Sequence, residues 1–141
     1  MNISKFTQKS VQAVQDLEKV AYEYGNQEIE QEHLLYTLLT QEDSLILKLI
    51  EKMEINKDYF VDTVKKALDA KVKVSGGELR FGQYLNKALV NAEDEAKAMG
   101  DEYVSVEHLF LALLKYPSPS MKKIWSEFGI TKERFLQALS T

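Results

Sequence analysis

The residues best suited to chemistry in this chain are its two histidines. They stand 75 positions apart, and each directly follows a glutamate, as Glu32-His33 and Glu107-His108. An imidazole can ligate a metal, shuttle a proton or act as a general base. A metal centre needs three or four convergent ligands, and the chain supplies neither a cysteine nor a third histidine to build one. No G-x-S-x-G turn offers a nucleophile, and no G-x-x-x-x-G-K-[ST] or G-x-G-x-x-G loop offers a phosphate cradle. Gly76-Gly77 runs into Glu78 and Leu79 and lacks the lysine of a phosphate loop. Duplication tracks fold rather than chemistry. Each imidazole is therefore expected to bond a backbone group or pack beneath its own helix start, and no catalytic residue, metal ligand or cofactor is assigned to this chain.

The carboxylates beside the histidines are more suggestive. Glu32 and Glu107 fall in the first turn of expected helices, where the dipole favours negative charge. They could equally face a groove and receive a cationic group of a partner, a guanidinium suiting their geometry. Glu28 and Glu30 surround the first and Asp101 and Glu102 the second, an acidity that also suits a solvated turn. Thr7 stands apart because its counterpart 75 positions on is Gly82. The shared fold does not demand its hydroxyl, which either caps the first helix or touches a partner.

The elements that must position these residues come in two copies. Sliding the sequence by 75 places Phe6 on Phe81, Gly25 on Gly100, Leu38-Leu39 on Leu113-Leu114, Ile55 on Ile130 and Phe60 on Phe135. About 15 identities over about 61 gapless positions mark an internal repeat. Apolar positions Ala13, Val14, Leu17 and Ala21, and their partners Ala88, Leu89, Ala92 and Ala96, follow helical spacing and stop at Gly25 or Gly100. A second helix is predicted from about Glu32 to Leu39 and Glu107 to Lys115, with Ser105 a good cap and Glu30 a poorer one. The third carries Ile46, Leu49, Ile50 and Met53, or Met121, Ile124, Trp125 and Phe128; Ser118 caps the later copy ahead of Pro119. The fourth opens at Asn56 or Thr131 and includes Phe60 or Phe135.

Strand signals are nearly absent, only Val72 and Val74 alternating. The pattern predicts an all-α fold of eight helices in two four-helix repeats, about 4–70 and 81–141, with a linker of about 71–80. A half of about 65 residues is marginal alone. The two should pack as one domain about a pseudo-twofold axis, with a groove where they meet.

At 141 residues, with 45% hydrophobic and 28% charged positions, the chain has a globular composition. A net charge of −4, with lysines scattered among carboxylates, provides no concentrated basic face for nucleic acid. Lys65-Lys66 and Lys71/Lys73 read as a solvated helix end. The opening MNISKFTQKS lacks the apolar core of a signal peptide, and the longest apolar runs, such as Leu109 to Leu114, are about a third of a bilayer span. A soluble, cytoplasmic protein without disulfides is expected.

Phe6-Thr7, Gly25, Ile29, Glu32-His33-Leu34-Leu35 and Leu38-Leu39, with G-D-E-Y-V-S-V-E-H-L-F-L-A-L-L from Gly100 to Leu114, resemble the Clp N-terminal (repeat) domain over almost the whole chain. Asn26-Gln27 before Ile29 and Gly100-Asp101 before Tyr103-Val104 look most like the ClpB, disaggregating branch, with ClpA and ClpC as near alternatives. The resemblance implies a non-catalytic domain that receives unfolded or aggregated chains and is tethered to a homohexameric ring of AAA+ ATPase modules, the isolated domain being monomeric. ATP and Mg belong to those expected downstream modules, whose motifs are absent here, and a collaborating chaperone or adaptor is a further implied partner.

The ClpB likeness assigns client handling to Thr7, Asp101 and Glu107, beside an apolar groove placed near Leu85, Leu89 and Tyr103. The ClpC likeness instead implies adaptor docking or phosphoarginine recognition through Glu32, Glu107 and Thr7. Gly82 and Gln31 depart from that second pattern. Neither nucleic acid nor membrane is an expected partner.

Overall fold

The protein is described by a computed structural model covering residues 3–141. Its helices form where caps and apolar spacing coincide. Thr7, Ser44, Asn56, Ser118 and Thr131 each accept a hydrogen bond at the side-chain oxygen from a backbone N–H three residues on, and so open α1 (Gln8–Gln15), α4 (Leu45–Lys52), α5 (Lys57–Asp69), α8 (Pro119–Phe128) and α9 (Lys132–Ser140). α2 (Leu17–Glu23) and α6 (Gln83–Ala98) run out just before Gly25 and Gly100, which take left-handed φ of 70° and 73°. The amides that follow, Asn26 and Asp101, bond back to Ala21 and Ala96. The remaining helices are α3 (Gln31–Thr40) and α7 (Val106–Lys115).

α1 and α2 are one helix interrupted at Asp16, whose backbone stays helical. Taken so, the described residues contain eight α-helices, and α1–α5 correspond in order to α6–α9 at the 75-residue offset.

As expected of an all-α chain, strand structure among the described residues is confined to two two-residue segments and one bridge. β1 (Glu28–Ile29) pairs in parallel with β2 (Arg80–Phe81), and an isolated bridge joins Phe6 to Val104. At the repeat offset these are one contact made twice, since Phe6 is the counterpart of Phe81 and Val104 of Ile29. Each half thus lends the lead-in of its first helix to the other half. Thr7 N–H bonds Val104 O at 2.9 Å, and Gly82 N–H bonds Ile29 O at 2.8 Å.

A single apolar core runs through both halves and includes Leu34, Leu38, Ile50 and Phe60 of the first with Leu109, Phe110, Leu113 and Phe135 of the second. The aromatic seam crosses the boundary. Phe128 packs edge-on to Phe60 at 4.8 Å and beside Tyr59 at 5.5 Å, while Phe110 stacks on Phe135 at 4.5 Å. Arg134, the counterpart of Tyr59, returns the contact by donating to the carbonyl of Met53, the counterpart of Phe128. An inter-half cleft of about 350 Å3 lies between the ends of α4 and α9, lined by Met53, Arg134, Gln137 and Ala138 among others.

Candidate functional site

The exchanged strands decide which helix starts become neighbours. Pairing of Phe6 with Val104 brings the first turn of α1 to the start of α7, and pairing of Phe81 with Ile29 brings the start of α6 to that of α3. Each junction gathers two positive helix ends, and the two junctions are pseudo-equivalent. Their side chains differ.

At the α1–α7 junction, Thr7 caps α1 through Ser10 N–H at 3.3 Å, and the Ser10 hydroxyl bonds Val104 O at 2.7 Å. Glu107 lies half-exposed in the first turn of α7 and makes no ion pair among the described residues. Exposed Asp101 accepts at 2.8 Å from His108 Nε2, and Tyr103 stands 53% exposed beside it in sequence. The result is an acidic, open edge carrying one aromatic ring.

The α3–α6 junction is closed. Glu32, the counterpart of Glu107, is 1% exposed. One of its oxygens accepts from Ser120 Oγ, and the other faces Lys71 Nζ at 3.3 Å while accepting no hydrogen bond. Lys71 also reaches Glu30 at 3.1 Å. At Gly82, the counterpart of Thr7, a Cβ would crowd the Ile29 carbonyl at 3.3 Å and would displace the flexible end of Glu28, whose Oε1 would lie at 2.8 Å. The linker is stitched over this side, with Asn26 donating to Val72 O, Val74 N–H to Gly25 O and Lys73 Nζ to Tyr24 O.

Both histidines are structural. His33 Nδ1 accepts from Glu30 N–H and His108 Nδ1 from Ser105 N–H, each at 2.8 Å. The imidazole thereby plays the part that glutamate plays in a capping box. An accepting Nδ1 leaves the proton on Nε2, which donates to Asn26 Oδ1 at 2.9 Å or Asp101 Oδ2 at 2.8 Å. Burial, helped by the nearby Lys71 ammonium, lowers the pKa of His33 to about 4. Among the described residues no group of three or more His, Cys, Asp or Glu side chains could hold a metal ion.

The sequence pattern of the Clp repeat (R) N-terminal domain matches residues 5–128. The chain belongs to that family. Among curated relatives, a ClpB chaperone of Nitratidesulfovibrio vulgaris is 37% identical over an alignment of 145 positions covering 99% of this chain, and one of Clostridium tetani is 39% identical over 144 positions, also covering 99%. The chain spans 17% of the length of each. Among solved structures, the Hsp104 N-terminal domain from Candida albicans superposes with a TM-score of 0.82 over 96% of this chain and 89% of that one, at 21% identity. A ClpV N-domain in complex with a VipB peptide superposes at 0.74 over 98% and 89%, also at 21% identity. The all-α, duplicated Clp N-domain architecture is thereby shown, in a chain whose similar sequences are ClpB chaperones. No described helix is long and apolar enough to cross a membrane.

Within this Clp N-domain, Thr7, Asp101 and Glu107 sit at one junction of the fold, and Glu32 sits at the other. Leu85 and Leu89, where the ClpB likeness placed an apolar groove, are core residues of α6 at 0% and 1% exposure. Thr7, Asp101, Glu107 and Tyr103 do not line the α4–α9 cleft.

Lys71, expected in a solvated helix end, is instead largely buried and paired with Glu30 and Glu32, and Gln31, noted only as a departure from a family pattern, is a buried hydrogen-bonding hub. Gln31 is fully buried, donates to Tyr84 O at 3.0 Å and Tyr116 O at 2.7 Å, and accepts from Ser118 N–H at 2.9 Å. No local signal marks either residue, because their partners lie from 39 to 87 positions away. Asn26 and Asp101 were legible in principle, both standing seven residues before a histidine.

Proposed function

We propose that this domain is a non-catalytic receiver of unfolded or aggregated polypeptides, within a larger ClpB-type protein whose AAA+ modules thread what it captures. The supporting observation is the inequality of the two junctions. Lys71 fills the carboxylates of the first, whereas Glu107, with Thr7, Asp101 and exposed Tyr103, is open at the second. An acidic edge with an exposed ring suits segments that are aromatic or apolar and net basic, and its small area limits affinity. Leu85 and Leu89 belong to the core and are no part of this open edge. The similarity to ClpB chaperones and to a ClpV N-domain that holds a peptide supports the same reading.

The test is titration of a permanently unfolded casein into the isotope-labelled chain. Saturable shifts centred on Thr7, Asp101, Tyr103 and Glu107, at micromolar or weaker affinity and reduced in Glu107→Lys, support the reading. Silence at all four would overturn it. Phosphoarginine binding that requires both Glu32 and Glu107 would replace it with the adaptor- or degron-docking role of a protease unfoldase. Sealed Glu32 speaks against that outcome.

A further inference from the structure

The second half carries another depression, lined by none of Thr7, Asp101, Tyr103 and Glu107. It lies between the end of α7, α8 and the start of α9 and has a volume of about 380 Å3. Its floor is apolar: Leu111, Leu114, Trp125 and Ile130. Its rim holds Lys115, Lys122 and Lys132, and no aspartate or glutamate lines it. Lys122 and Lys132 are exposed and make no ion pair among the described residues, while Lys115 lies 3.6 Å from Glu95. Thr131 and Lys132 also place the positive end of α9 at this rim.

The repeat provides an internal control. A depression of the first half that shares three equivalent positions with this one, Leu39, Thr40 and Leu47, is otherwise lined by Val61, Asp58, Asp62 and Lys65 among others. Thr40 and Leu47 stand where the second half has Lys115 and Lys122. Lys57, the counterpart of Lys132, is paired with Glu51 at 3.4 Å. Folding this bundle therefore does not require the basic rim. A ring of ammonium groups on a chain of net charge −4 is a local reversal of sign, and such reversals select partners through complementarity.

We propose that the α7–α8–α9 groove docks a short peptide segment of another protein, in which two or three apolar side chains fill the floor and flanking carboxylates meet Lys122, Lys132 and Lys115. The preferred charge is opposite to that of the client edge, so the two surfaces take different partners.

Trp125 is the single tryptophan of the chain and lines this floor, its indole donating to Leu113 O at 3.1 Å. Its emission is therefore a reporter of occupancy. The probe is a synthetic peptide of about ten residues with leucine and phenylalanine set among aspartates and glutamates. The expected result is a saturable change in Trp125 emission that weakens with salt and falls about fivefold or more in affinity in Lys122→Glu/Lys132→Glu. Both substitutions are at exposed positions, and circular dichroism verifies that the fold is kept.

An absent response in the folded wild type overturns the proposal. So does an equal response to a peptide with lysines in place of the carboxylates, or one reproduced by inorganic phosphate or polyaspartate. Casein binding separates this groove from the client edge: Lys122→Glu/Lys132→Glu should leave it intact, and Glu107→Lys should leave peptide binding intact.

Discussion

Lys71 Nζ lies 3.3 Å from Glu32 Oε1, joining the first residues of the linker to the first turn of α3 in a pocket where the carboxylate is 1% exposed. A buried carboxylate is tolerable only with such compensation, and removing one partner strands the other charge. Lys71→Met should therefore cost about 3 kcal/mol in urea unfolding. Glu32→Gln/Lys71→Met should recover most of that loss, because a neutral amide can still accept from Ser120. Equal stability of the wild type and Lys71→Met would show that the pair carries no weight.

His33 predicts a pH dependence whose sign follows from its lowered pKa. The unfolded chain holds a proton on this imidazole below about 6.5, whereas the folded chain takes one up only near 4. Between those values the unfolded state binds more protons, so stability rises with pH and is lost as pH falls from 6.5 towards 4. The loss amounts to about 3 kcal/mol if fully expressed. Protonating Nδ1 also destroys the acceptor that holds Glu30 N–H. Unfolding measured at pH 7 and pH 4.5 should differ accordingly, and His33→Gln should flatten that part of the slope. Asn26→Asp, which sets a carboxylate against Nε2, should raise the His33 pKa in an NMR titration.

Much of the fold was legible because its signals are local. Capping by Asn56, Ser118 and Thr131 and helix termination at Gly25 and Gly100 each depend on a few neighbouring residues. The duplication then implied that the halves correspond. What it could not reveal is that Phe6 pairs with Val104 and Phe81 with Ile29: two-residue strands have no alternation to read, and their partners are distant. The site was legible in the same proportion. The ClpB likeness placed an apolar groove near Leu85 and Leu89, but a family likeness gives no measure of depth, and both residues are core. The difference between Glu32 and Glu107 depends on Lys71 and Ser120, which no pattern links to either glutamate.

Gln31 ties the halves together, and all three of its hydrogen bonds reach the second half. Its counterpart Val106 makes the same helix turn with an apolar side chain, so an apolar residue at position 31 is compatible with the helix. Gln31→Leu nevertheless leaves the buried Ser118 N–H without its acceptor. The expected cost is about 2–3 kcal/mol. Hydrogen exchange at the Ser118 amide should accelerate in the variant while that at helical amides of α5 changes little. Unchanged protection of Ser118 would mean that another acceptor replaces Gln31.

Glu54 offers a prediction of the opposite sign. It holds a left-handed φ of 62°, the value found at its counterpart Gly129. Both residues end the third helix of their half, with Ile55 N–H bonding back to Ile50 O and Ile130 N–H to Trp125 O. A residue with a Cβ is strained in that conformation, whereas glycine is not, and glycine's extra entropy in the unfolded chain offsets part of the gain. The Glu54 side chain is exposed and forms no ion pair among the described residues. Glu54→Gly should therefore stabilise the domain by about 0.5–1 kcal/mol, read as a higher urea midpoint at unchanged slope. A lower midpoint would mean that Glu54 makes a favourable interaction at the α4 terminus large enough to outweigh its backbone strain.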